Sequence, residues 1–270
     1  MTPATADVAK AARLVSHALN PKSRPGPDSE YRTLMARYQT DDGFRDLVET
    51  VAESMTLHVR AATPLGLVVA GDLDGPFAVN LDNCGLPIRP ERTGRRLDRL
   101  CFALVLVALA AFAYPHGENL IDTSTPTVRP EELERFITAH ARAAQANAAG
   151  IDEDLELALS DAITEWLDLP EVLPHARGGY RQGCRRYYVT RLLSFLVDTG
   201  RARREPALSD VLGDAFVLND RFRVGLAETA ETLVAQGFAA WAGNLDFYGG
   251  GGGNERLGRD GGPHQAAEEV

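Results

Sequence analysis

The residues best suited to chemistry in this 270-residue chain are the arginines between positions 177 and 204. Arg177, Arg181, Arg185, Arg186, Arg191, Arg201, Arg203 and Arg204 stand there against a single acid, Asp198. The local balance is +7 in a chain of net charge −10, so the remainder carries −17. A guanidinium stays charged, and its planar fork meets a phosphate through two parallel hydrogen bonds. The pattern therefore points to phosphate contact at one place on a body that phosphate otherwise repels. A solvated helix edge would have the same composition. The chain also has 26 arginines and only two lysines, Lys10 and Lys22, a GC-rich coding bias that lowers the weight of any single arginine.

Other reactive types are present but not in reactive patterns. The six histidines (His17, His58, His116, His140, His175, His264) are isolated. Cys84, Cys101 and Cys184 are odd in number and far apart, so neither a disulfide framework nor a zinc set is expected. Asp72-x-Asp74-Gly75 has the look of a calcium loop, but the glycine offset is wrong and no bidentate Glu closes it, so it reads as a turn. The acids Asp152, Glu153, Asp154, Glu156, Asp161 and Glu165 spread around one helix and read as a solvated face. Five consecutive glycines at 249–253 lack the strand and the Gly-Lys-Ser/Thr ending of a phosphate loop. With no HExxH, GxSxG or GxGxxG after a strand, the expectation is a non-enzyme without metal or cofactor.

The elements that must position the arginines follow from periodicity. A helix is predicted at 187–199, where Val189, Leu192, Leu193 and Leu196 repeat at i, i+3, i+4 and i+7. Gly200 should end it. Short strands at 201–204 and 215–218 would form a basic wing, and Asn219-Asp220 would cap a last helix burying Phe222, Leu226, Leu233, Val234, Phe238 and Trp241. In the first half, Phe44, Leu47, Val48, Val51, Ala52 and Met55 mark a helix at 42–55. A hairpin follows at 57–70, with 77–81 as a candidate third strand. The helix at 92–114 is polar at its start and apolar afterwards, so it should be the core of the first domain. Pro130 with Glu131 and Glu132 opens a helix running to about 147.

Helix, hairpin, long helix thus occurs twice. The expected fold class is mainly α with short β-hairpins (α+β), arranged as tandem winged-helix domains. The expected boundaries are a flexible segment 1–29 with a candidate short helix at 6–19, a first winged-helix-like domain 30–148, a second 149–242 and a disordered Gly-rich tail 243–270. One α+β domain with two hairpins is the alternative. The longest uncharged apolar run, 100–114, is short of the ~20 residues a bilayer span needs. With no apolar leader visible, a cytoplasmic, nucleoid-associated protein is expected.

Tyr31-Arg32-Thr33-Leu34, Phe44-Arg45-Asp46-Leu47-Val48, Leu65-Gly66-Leu67-Val68-Val69 and Pro76-Phe77-Ala78 resemble the N-terminal part of the MukE/MksE-like (KITE) subunits of bacterial condensin-like complexes. These include the second subunit of Wadjet plasmid-defence systems. The run 188–200, the basic wing and Asn219-Asp220-Arg221-Phe222-Arg223 are similar as well, so the resemblance covers about 30–242. It implies tandem winged helices that form a homodimer, bind a kleisin subunit and help hold DNA against the heads of an SMC-type ATPase. ATP hydrolysis would belong to that partner. Transferred by position, the DNA-facing residues would be Arg185, Arg186, Arg191, Arg201, Arg203 and Arg204. The acidic N-terminal half and the Gly-rich tail lie outside what the resemblance accounts for.

The rival reading is a winged-helix transcriptional regulator. It would set Tyr187, Thr190, Arg191 and Ser194 against major-groove base edges. Of these, Arg191 is the clearest candidate for a bidentate base contact.

Overall fold

The computed structural model describes residues 5–27, 29–72, 75–78, 81, 83–116, 120, 125–146, 153–206 and 214–235, with backbone only for 153–158 and 228–235. The chain is mainly helical with small antiparallel sheets, in keeping with the α+β expectation.

The first group of elements is α1 (Thr5–Leu19), α2 (Glu30–Thr40), α3 (Asp42–Ser54), β1 (Leu57–Thr63) and β2 (Gly66–Gly71). Tyr31, Leu34, Met35 and Tyr38 repeat at helical spacing and turn one face of α2 inward. The Ser29 side chain caps α2 by accepting from the Arg32 N–H. Asp41 ends α2 and starts α3, its carboxylate accepting from the Phe44 N–H at 3.0 Å. The β1–β2 hairpin pairs antiparallel, with an irregularity between Val59 and Ala61. Its turn is built on Gly66 at φ 110°, where a Cβ would collide with the Tyr31 hydroxyl. That hydroxyl accepts the Leu67 N–H at 2.9 Å, so the turn and α2 fit only with glycine there.

Two expectations change here. Residues 1–29 are not uniformly a loose segment: α1 packs on α3 and β2, with Ala11, Leu14 and Val15 fully buried. Three apolar positions in an Ala-rich run were too faint a stripe to mark a docked helix. Phe77, Ala78 and Leu81 are not in a strand.

The second group is α4 (Arg92–Ala113), β3 (Thr127–Val128), α5 (Pro130–Ala146), α6 (Glu153–Asp168), α7 (Arg185–Asp198), β4 (Ala202–Arg204), β5 (Phe216–Leu218) and α8 (Asp220–Ala235). Gly200 ends α7 at φ 69°, donating to the Val197 carbonyl while the Arg201 N–H reaches Leu196 at 2.7 Å. These are the two bonds of a Schellman cap. Asn219 caps α8 through its side chain, which accepts from the Arg221 N–H. The sheet order is β3-β5-β4, both pairings antiparallel.

The buried apolar residues fall into two clusters. One joins α1, α2, α3, β1 and β2; the other runs from Leu86 to Phe222. Helix α4 packs against α5, α6 and α7, so it belongs to the second cluster and not to a core with the first hairpin. The expected division at 148/149 therefore crosses a shared core, and the two cores part between Leu67 and Leu86. A helix apolar on most sides shows that it is buried, not in which group. The partner that completes the second sheet, β3, has two residues and no readable period. The tail 243–270 and the expected helical residues 236–242 lie outside the described residues.

Candidate nucleic-acid interface

The six arginines expected to face DNA divide into two kinds. Arg185 turns inward and donates from Nε to the Trp166 carbonyl (3.0 Å) and from Nη2 to that of Leu167 (2.9 Å). It thereby caps the C-terminal end of α6, where unpaired carbonyls and the helix dipole favour a cation. Arg186 is buried. Its Nε donates to Glu134 Oε2 and its Nη1 to Glu131 Oε1, both at 2.6 Å, with Glu171 at 3.7 Å. Burial pushes the Glu134 carboxyl up in spite of Arg186. Burial also works against the Arg186 charge, yet Glu134 and Glu131 hold its pKa above the usual value. Both guanidiniums are thus engaged by groups of the protein itself. A sequence count of charges does not distinguish an arginine committed to the interior from one left outside.

The other four are exposed: Arg191 on α7, Arg201 just after the Gly200 cap, and Arg203 and Arg204 on β4, although burial of the Arg201 guanidinium pulls its pKa down. Arg203 is two-thirds exposed and pairs with Glu205 at 2.7 Å. Arg204 lies over the Phe216 ring and donates to Ser194 Oγ at 3.3 Å. Ser194 is three residues beyond Arg191, hence on the same side of α7. Strand β4 and the exposed edge of α7 therefore meet through Arg204. The remaining side chains that a base-reading helix would need, Tyr187, Thr190 and Ser194, are half-buried.

Asp98 holds α7 in place beneath this surface. It is fully buried and accepts from the Arg89 main chain and guanidinium, Gln182 Nε2 (3.0 Å) and Tyr188 Oη (2.7 Å). Burial first, then the Asp98 carboxylate, keeps the Tyr188 hydroxyl protonated far above its usual range. A charge so fully hydrogen-bonded ties α4, the 87–89 loop and α7 together.

Two basic features were not marked as sites by the sequence. On α4, Arg92, Arg95, Arg96 and Arg99 line an open hollow of about 260 Å³. Arg96 there is engaged with Asp161 and Glu165 of α6, so part of the expected solvated acidic face is paired. The second feature is Arg221, whose position after a helix cap carried no signal of its role. Burial above all pulls its pKa down, and the Arg24 and Arg201 charges add to that. A second hollow, of about 300 Å³, holds Glu134, Thr138, Glu171 and Arg185 among its lining but no nucleophile paired with a base.

The remaining candidates are dispersed. His58 pairs with Asp72 at 2.6 Å, while Asp74 lies outside the described residues. Cys101 is buried, and burial first pushes its thiol up to about 12. Among the described residues, no group of three His, Cys, Asp or Glu side chains could hold a metal ion, and no helix is long and apolar enough to cross a membrane. Comparison with known proteins finds no matching family model, curated protein or solved structure.

Proposed function

We propose that this chain is a non-catalytic, tandem winged-helix subunit of a condensin-like SMC complex, which binds a kleisin-like chain and contacts DNA through its second hairpin. The observation that carries this reading is the hairpin β4–β5 that follows α7 and pairs with the earlier strand β3, with Arg191, Arg203 and Arg204 exposed beside it. In a winged helix, a helix leads into a hairpin whose second strand pairs with an earlier, short strand; α7, β4, β5 and β3 stand in that relation. The first group repeats the plan without the extra strand, with α3 leading into β1–β2. The two winged units would then be about 5–71 and 92–226 instead of the boundaries expected from sequence. Phosphate contact by exposed arginines on a wing is positional and needs no reactive group. A homodimer and an SMC-type ATPase partner follow from the family resemblance. The regulator reading is less well supported, because α7 leaves mainly Arg191 free to reach a base.

The test is a pull-down of the tagged protein from its own cells, followed by charge reversal in the recovered assembly. A kleisin-like chain and a coiled-coil ATPase are expected in the eluate; recovery of the protein alone would sink the subunit reading. Arg191→Glu, Arg203→Glu and Arg204→Glu together should weaken DNA binding and flatten its salt dependence, by about 0.9 in log–log slope for each phosphate no longer neutralised. Unchanged affinity in a folded assembly would exclude this surface.

A further inference from the structure

Arg24 and Arg221, from separate parts of the chain, converge where the two groups of elements meet, and the Arg201 charge is near enough to act on Arg221. Arg24 lies in the segment between α1 and α2, Arg201 follows α7, and Arg221 is in the first turn of α8. Arg24 and Arg221 share acceptors: both donate to the Pro21 carbonyl (2.9 and 3.4 Å) and both to that of Ser23 (3.0 and 3.4 Å). Arg24 also reaches Gly200 O at 3.2 Å, beside Arg201, and Arg221 reaches Leu65 O at 2.8 Å in the β1–β2 turn. Among the described residues, none of the three forms an ion pair; Asp220, next in sequence to Arg221, is engaged with Arg223. Arg221 is 8% exposed, and its buried Nε has no hydrogen-bond partner. Carbonyl oxygens solvate a guanidinium but carry no net charge. Arg24 and Arg221 therefore stand together, the Arg201 charge acts on Arg221 as well, and Arg221 is almost wholly out of water, where a buried charge ordinarily needs a counter-charge.

We propose that Arg24, Arg201 and Arg221 form an anion site at the seam between the two groups, and that its ligand is a backbone phosphate of DNA. The inference rests on the reading that the second hairpin lies against DNA. Arg201 is followed in the chain by the exposed Arg203 and Arg204 of β4, so several cations are offered close together, which suits a polyanion with repeating phosphates rather than a single carboxylate. A phosphate held here would touch the linker, the end of α7 and the start of α8 together. DNA binding would thus fasten the first group of elements to the second.

The test compares the full chain with Arg24→Gln/Arg201→Gln, which spares the buried Arg221 and leaves at position 24 an amide able to donate a hydrogen bond. Arg203→Glu/Arg204→Glu serves as the wing control. Duplex DNA binding is followed by fluorescence anisotropy across a salt series. Thermal melts are run in inorganic phosphate and in chloride at matched ionic strength. The parent should melt higher in phosphate and the Gln variant should not; the Gln variant should also have a log–log salt slope shallower by about 0.9, the value of one neutralised phosphate. If the Gln variant keeps the parent's slope and phosphate response while the wing variant has a shallower slope, the seam site is wrong and the wing reading stands. If the parent shows no salt-dependent DNA binding, DNA contact by this chain is itself overturned. If a poly-glutamate peptide of equal charge displaces the duplex as well as unlabelled DNA does, the nucleic-acid assignment is overturned in favour of an acidic protein.

Discussion

Arg185 and Arg186 belong by sequence to the DNA-facing class expected for them, yet each is consumed inside the protein. The decisive quantity is desolvation. An arginine stem long enough to reach a phosphate is equally able to reach a helix end or a buried carboxylate. Breaking a buried pair leaves an uncompensated charge and costs about 3–5 kcal/mol. Arg186→Ala should therefore destabilise the protein by that order in urea unfolding, whereas Arg191→Ala should stay within about 0.5 kcal/mol. Similar, small losses for both would show that Arg186 is not held as described. Asp41 is one expected source of acid dependence, Asp7 beside Arg37 being another. The Phe44 N–H first, and Arg37 second, hold its carboxyl below the usual aspartate range. The folded value is the lower one, so this stabilisation is complete above the ordinary value of about 3.9 and disappears as pH falls through the folded value. Asn caps helices as well as Asp but does not titrate. The melting temperature of Asp41→Asn should thus fall less than the parent's between pH 5 and pH 2; identical falls would rule out Asp41 as a source of the acid dependence.

At the level of elements, α6 shows which force holds a helix in place. Arg96 bridges it to α4 through Asp161 and Glu165, but all three side chains are a third or more exposed. Such pairs contribute about 0–1 kcal/mol. Trp166, by contrast, is fully buried and donates Nε1 to Thr138 Oγ1 at 3.2 Å. Trp166→Ala should cost about 3–5 kcal/mol and Arg96→Ala no more than about 1 kcal/mol. Chemical denaturation that reversed this order would mean that ion pairs, not packing, dock α6. Long elements with strong periods were legible: the Phe44–Val48–Ala52 stripe of α3, the Pro130 start of α5 and the Gly200 stop of α7 all stand where the spacing placed them. β3 was not legible, since two residues cannot display an alternation. Its place in the sheet depends on Phe216 and Val217, some ninety residues later.

For the whole molecule, the two buried clusters imply that stability can be lost in parts. Leu14 and Val15 of α1 are fully buried in the first cluster, and each such side chain contributes about 1.5–3 kcal/mol of burial. Removing residues 1–20 should speed amide exchange in α2, α3 and the β1–β2 hairpin while α5 and α7 keep their protection. Equal acceleration in both groups would argue for one cooperative core. The amino-acid sequence by itself determined the local matters: which segments are helices or hairpin strands, where caps and glycines end them, and where positive charge is concentrated. Each depends on residues within a few positions of one another, so period and composition suffice. Only the tertiary structure decided which helices share a core, that α1 belongs to the fold, which arginines are spent on Trp166 and Glu134, and that Arg24 and Arg221 meet. Those outcomes depend on which surfaces lose water together. That is settled by contacts between distant segments, which no local pattern records.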